Sequence, residues 1–193
     1  MPLGRQYDVV LYGATGFVGR QTVDYFATNA QVKASGLRWA LAGRSQAKLS
    51  QVKQACAGAT EAGVVVAAAD DIKALDVLAK STCVVLSTAG PFALYGSALV
   101  AACVKHGTHY VDITGETPWA AEMIAKHHAK AAKSGTRIIP FCGFDSVPSD
   151  IGTWLMKSQG SGQSARRRRD RFANPAALHQ LPPQRDHRPL WRQ

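Results

Sequence analysis

The sequence predicts a doubly wound α/β fold of the Rossmann type, a parallel sheet covered by helices on both faces. Three observations predict it. Short apolar runs alternate with segments of helical period; the first run breaks into a glycine turn that reopens as a helix; and right-handed crossovers then make a doubly wound sheet the natural closure. With 193 residues and 46% apolar content, the chain can close one sizeable core but not two.

The first strand is expected over residues 7–12 and leads into Gly13-Ala14-Thr15-Gly16-Phe17-Val18-Gly19. Each glycine has its own physical role. Gly13 permits the turn out of the strand, Gly16 lets backbone approach a pyrophosphate, and Gly19 lets the new helix pack closely on the sheet. The phosphate would sit on the helix N-terminus, where unpaired N–H groups and the helix dipole favour an anion. Gly13, Thr15, Gly16, Phe17, Val18 and Gly19 are therefore candidate cofactor residues.

The second strand, residues 38–42, ends in Ala42-Gly43-Arg44-Ser45, where an NAD-specific domain usually offers an acid to the ribose 2′-hydroxyl. Arg44 can instead grip a 2′-phosphate bidentately while stacking on adenine, and Ser45 can add a hydroxyl. That exchange points to NADP(H). The third strand, residues 64–68, precedes Asp70-Asp71; Asp70 could receive the adenine amino group, and capping of the following helix explains it equally well. The fourth, residues 84–88, is followed by Ala89, Gly90 and Pro91, whose small size would let backbone pass beside the nicotinamide, and then by Tyr95-Gly96.

The fifth strand is expected over residues 109–112, followed by a helix over 117–133 closed by Gly135. The sixth, residues 137–141, runs into the turn Phe141-Cys142-Gly143-Phe144-Asp145-Ser146-Val147-Pro148, which should border the reacting end of the cofactor. Tyr95, Asp112, Glu116, Cys142 and Asp145 fall at strand ends on the cleft side, but no catalytic residue is nominated. His106 and His109 flank a turn and read as surface or capping residues; His127 and His128 read as a solvated helical face.

Cys56, Cys83, Cys103 and Cys142 have neither CxxC pairing nor a histidine at metal spacing, so no metal site is expected and the thiols read as reduced and mostly core. No apolar stretch approaches the ~20 residues of a membrane span, and residues 9–12 carry no basic flank or cleavage site, so a cytoplasmic location is expected. The net charge of +10 divides into +6 on residues 164–193 and +4 on the body. A mildly basic body suits a polyanionic cofactor, and no nucleic-acid partner is expected.

Taken together, the glycine turn, Ala42-Gly43-Arg44-Ser45, Ala89-Gly90-Pro91-Phe92, Tyr110-Val111-Asp112-Ile113-Thr114-Gly115-Glu116 and Cys142-Gly143-Phe144-Asp145-Ser146-Val147-Pro148-Ser149-Asp150 closely resemble the saccharopine dehydrogenase-like oxidoreductases, including the trans-acting enoyl reductases. The resemblance implies an NADP-binding Rossmann domain, expected here over residues 1–158, followed by a substrate domain that this chain is expected to lack. Residues 159–193 instead read as a disordered basic tail, favoured as the product of a frameshift over a genuine arm for nucleic acid or an acidic membrane surface.

The expected function is an NADP(H)-dependent reductase acting on a carbonyl or enoyl carbon, with a small-molecule or lipid-linked substrate. Two alternatives stay open: a nucleotide-binding module or sensor without turnover and, more weakly, nucleic-acid binding through the tail. Peripheral membrane contact and self-association also stay open. Phe92, Phe141 and Phe144 are expected to leave apolar surface uncovered beyond the later strands.

Overall fold

A computed structural model describes residues 4–159; the segment from 160 onward, where the basic tail is expected, lies outside the described residues. Residues up to Val147 make one compact unit, and the helix that follows belongs to a second.

Six strands form one sheet: β1 (Tyr7–Tyr12), β2 (Trp39–Gly43), β3 (Gly63–Val66), β4 (Thr82–Ser87), β5 (His109–Asp112) and β6 (Ile138–Ile139). All pairings are parallel and the order is β3-β2-β1-β4-β5-β6. The order reverses between β1 and β4, which opens a crevice beyond their carboxyl ends.

The connecting helices are α1 (Phe17–Thr28), α2 (Ala30–Ala34), α3 (Gln46–Ala55), α4 (Ile72–Ser81), α5 (Phe92–Tyr95), α6 (Ser97–His106) and α7 (Thr117–Ser134). Strand alternation divides the core in two. Leu11 and Leu41 meet Val23 of α1 and Leu49 and Val52 of α3 on one face. Val10, Val85 and Tyr110 meet Leu75 and Leu78 of α4, Leu99 and Val100 of α6, and Trp119 and Met123 of α7 on the other.

Local chemistry sets the helix ends. The Ser45 hydroxyl accepts the Lys48 amide to start α3, and the Asp71 carboxylate accepts the Ala74 amide to start α4. Gly107 and Gly135 close α6 and α7 in the left-handed conformation. The last described helix is α8 (Val147–Gln159), of which the second unit holds Pro148 onward, and it spaces Val147, Ile151, Trp154 and Leu155 at helical intervals. Among the described residues no helix is long and apolar enough to cross a membrane.

Three expectations need correction. The sixth strand is two residues long rather than five, because Pro140 has no N–H for the ladder and Phe141 turns to φ 63°. The cysteines are not mostly core: Cys103 alone is buried, where burial pushes its thiol up to about 12, while Cys56 and Cys83 are half-buried and Cys142 is exposed. Phe92 does not leave apolar surface open either, since it is buried with its ring 5.6 Å from that of Trp119; Phe144 is 89% exposed.

One anchor had no visible sequence signal. The Arg5 guanidinium donates to the carbonyls of Ala79 in α4 (2.8 Å) and His106 at the end of α6 (2.8 Å), and also to Thr82 and Thr108. A cation here satisfies carbonyls that helix C-termini leave unpaired. Arg5→Ala is expected to lower stability by about 1.5 to 3 kcal/mol, read as a lower urea midpoint with an unchanged slope. An unchanged midpoint would make the contact dispensable.

Candidate functional site

The carboxyl ends of β1 and β4 lie side by side, and two loops leave them in contact. The Thr88 amide donates to the Tyr12 carbonyl (2.9 Å), and the Gly13 and Ala14 amides donate to the Ala42 carbonyl (2.9 and 3.1 Å). Gly13 has φ +87°, and a Cβ there would stand 2.9 Å from the Ala89 amide nitrogen. Both backbone conformation and space therefore require glycine. Gly19 is more restricted still, because a Cβ would stand 2.1 Å from the Gly13 carbonyl oxygen.

That crossing presents the start of α1 at the crevice with its first turn open. Gly16 precedes the helix without a side-chain cap, and the Phe17, Val18 and Gly19 amides donate to no carbonyl among the described residues. Phe17 is 81% exposed at the mouth of this cradle, and the half-buried Thr15 accepts from Arg20 Nε through its carbonyl (3.2 Å). Open amides on a glycine cradle match the needs of a pyrophosphate.

On the β1 side of the crevice, Arg44 follows β2 and Asp70 follows β3, both exposed. Both act on Tyr12: its hydroxyl is pushed up to about 12, first by burial and then by Asp70, while Arg44 pulls the other way. Arg44 forms no ion pair among the described residues. The cap of α4 is Asp71, which leaves Asp70 free of that duty. Ser45 caps α3 with its oxygen and keeps its hydroxyl proton to donate. The loop after β4 supplies Ala89, Gly90 and Pro91, with a cis Gly90-Pro91 bond. All twelve sequence-predicted cofactor residues thus follow β1, β2, β3 or β4 at one edge of the sheet. A cation at the end of β2, next to the glycine-walled anion cradle at the end of β1, fits a dinucleotide that carries an additional phosphate.

The acids on the other side of the crevice behave differently. Asp112 is buried at the end of β5, where Oδ2 accepts from the Tyr110 hydroxyl (2.9 Å) and Oδ1 from the amides of Thr114 (3.1 Å) and Phe141 (3.2 Å). Burial raises its carboxyl above the ordinary value, although the bonds from Thr114, Tyr110 and Phe141 oppose the shift. Burial, with Asp112 adding to it, also raises the Tyr110 hydroxyl, while Ser87 pulls the other way. Glu116 accepts from the Phe92 and Ala93 amides (2.6 and 2.9 Å) and so caps α5.

Among the other candidates, Tyr95, Asp145 and Cys142 are exposed, and burial followed by Asp112 raises the Cys142 thiol. His106 bonds Asp76 (2.9 Å), and His109 accepts the Arg137 amide through Nδ1 (3.0 Å). The expectation of a solvated face holds for His128, which is exposed, and is corrected for His127, which is half-buried in a recess beneath α7, where burial, Lys126 and Lys130 lower it. The Tyr110-Asp112 pair escaped the sequence reading, although their spacing of two placed them on one strand face. Glu116 carried no such signal.

The model of the saccharopine dehydrogenase NADP binding domain matches residues 9–139. Over 156 residues the chain is 44% identical to a trans-acting enoyl reductase of Mycobacterium leprae (strain TN), covering 80% of this chain and 36% of that protein. Over 162 residues it is 38% identical to a lipid droplet localized protein of Caenorhabditis elegans, covering 81% and 38%. The chain therefore spans little more than a third of the length of these relatives. Apo saccharopine dehydrogenase (L-Glu forming) from Saccharomyces cerevisiae shares the fold, with a TM-score of 0.58 at 19% identity over 72% of this chain and 28% of that one.

Proposed function

The chain belongs to the saccharopine dehydrogenase NADP binding domain family and its cofactor is NADP(H); on that premise we propose that it forms the cofactor-holding part of an NADPH-dependent reductase. The observation that carries this reading is the open first turn of α1 above the Gly13-Gly19 crossing, with Arg44 at the end of the neighbouring strand β2. In it, Gly13, Thr15, Gly16, Phe17, Val18 and Gly19 surround the pyrophosphate, with amide N–H groups as donors. Arg44 and Ser45 take the 2′-phosphate, Asp70 receives the adenine amino group, and Ala89, Gly90 and Pro91 border the nicotinamide ribose.

The bound nicotinamide supplies a hydride for an electrophilic carbon. The chain's contribution is to fix the ring: the bond from Thr88 to Tyr12 locks the two loops together, while Asp112 ties the end of β5 to the turn after β6. The enoyl reductase relative supports an enoyl substrate for the reductase, and the lipid droplet relative is compatible with one that is lipid-linked. A module that binds without turnover is favoured by one observation: Asp112 and Glu116 are held in structural hydrogen bonds. Loss of 340 nm absorbance with a trans-2-enoyl thioester separates the two readings. Steady oxidation by the chain supports the reductase, and binding without oxidation supports the module.

The cofactor assignment is tested at Arg44. A charged hydrogen bond contributes about 1.5 to 3 kcal/mol, so Arg44→Ala is expected to reduce the preference for NADPH over NADH by roughly 10- to 100-fold. Titration of both nucleotides into both proteins reads it directly. Equal preference ratios would remove Arg44 from the site.

A further inference from the structure

Beneath α7 lies a recess of about 310 Å³ that the cofactor reading does not use. Its origin is in the sequence of the helix. The first half of α7 fills the space above the sheet with Trp119 and Met123, but the second half offers Ala131 and the half-buried His127. Opposite them, β6 contributes only Ile138 and Ile139. A gap lined by Val100, Trp119, Met123, Ala131, Ile138 and Pro140 remains.

The polar groups of this recess are unequally distributed. At one end the Tyr110 hydroxyl and Asp112 carboxylate are bonded to each other, so neither needs a ligand. At the other, Arg137 is exposed and forms no ion pair among the described residues. The lining runs from Thr136 to Pro140, roughly 13 Å at the rise of a strand. Ordered water requires two to four polar partners, which apolar walls do not supply. A polypeptide would bring N–H and C=O groups in need of partners, whereas an alkyl chain brings none.

We propose that this recess binds a single-chain anionic amphiphile, with its carboxylate at Arg137 and its alkyl chain laid between α7 and β6 toward Tyr110. The charge distribution sets the orientation, since Asp112 would repel the head group at the other end. The site is separate from the glycine cradle and does not depend on the reductase reading.

Calorimetric titration of the full chain with sodium dodecanoate tests this, with dodecyltrimethylammonium as the cationic counterpart of equal chain length. Saturable 1:1 binding of dodecanoate is expected, at least about tenfold tighter than that of the cation. Ala131→Phe, which fills the recess, is expected to weaken dodecanoate about tenfold or more. Arg137→Glu is expected to weaken it by about fivefold or more and, at an exposed position, keeps the test independent of any repacking around Ala131. NADPH titration of each variant reports separately on the cofactor site and should be unchanged. Equal affinity for both amphiphiles, or unaltered dodecanoate affinity in either variant, would mean adsorption to exposed apolar surface and would overturn the site. Absence of saturable binding would overturn it too and leave the recess as a seat for polypeptide.

Discussion

Replacing Gly19 with valine is expected to remove both nucleotide binding and much of the protein's stability, whereas the same change at Gly16 should remove binding and spare the fold. The two positions differ in what a side chain would meet. At Gly19 a Cβ would lie 2.1 Å from the Gly13 carbonyl oxygen and 2.9 Å from the Ala14 Cα. These are backbone atoms with no rotamer through which to escape, so α1 must move off β1. Overpacking of a core ordinarily costs about 1 to 3 kcal/mol, and a backbone overlap this deep lies at or beyond the upper end. Domains have only about 5 to 15 kcal/mol to lose.

At Gly16 the position is exposed, φ is −73°, and the nearest atom to a Cβ is the Gly13 carbonyl oxygen at 3.3 Å. A branched side chain there is tolerated by the fold but occupies the space above the open amides. Thermal melts by circular dichroism should show Gly19→Val strongly destabilised and Gly16→Val close to wild type, with NADPH affinity reduced at least about 100-fold in both. Unchanged binding in Gly16→Val would move the phosphate site elsewhere. A wild-type melt for Gly19→Val would contradict the close crossing.

The second large effect is expected at Asp112. Asp112→Ala leaves the buried Tyr110 hydroxyl and the Thr114 and Phe141 amides without their acceptor. The cost should be about 3 kcal/mol or more, since each stranded buried donor carries its own desolvation penalty. Asp112→Asn keeps an oxygen for the two amides and an amide group that can donate to the Tyr110 hydroxyl, so its loss should be much smaller.

The pH dependence gives an independent check. Because burial raises the Asp112 carboxyl, the folded state keeps this proton to higher pH than the unfolded chain. Its contribution to stability is complete below the ordinary carboxylate value, about 4, and is lost as pH rises through the raised folded value. Asp8 and Asp76 act in the opposite sense. The Arg38 side chain holds Asp8 low, and Lys105 followed by His106 holds Asp76 low, so their stabilisation disappears as pH falls below the ordinary range. In urea titrations from acid pH upward, the stability of wild type relative to Asp112→Asn should decline. A constant difference would show that Asp112 titrates normally in the folded protein.

The elements of the proposed cofactor cleft were legible in the sequence because each of their signals is local. A buried strand breaking into Gly13, Gly16 and Gly19 encodes its own turn and helix start, and Arg44 declares its charge at the end of the next strand. Helix α7 was legible for the same reason, with apolar spacing along its length and Gly135 to close it. The sixth strand was not. Its apolar residues suggest five positions in the ladder, but Pro140 lacks a donor and the Phe141 amide turns to Asp112, a partner 29 positions earlier.

Fold class, the succession of strands and helices, and the glycine turn on which the proposed cofactor site rests were thus all written in the chain, since periodicity and glycine spacing act over a few residues and survive without tertiary context. What several polar residues do was settled only by folding. Arg5 finds carbonyls 74 to 101 positions away, Glu116 caps a helix that begins 24 positions before it, and Asp112 collects donors from two strand ends and a loop. Folding also left a recess where Ala131 and His127 lie over a shortened strand. A long polar side chain can reach many partners, and only the folded backbone selects among them.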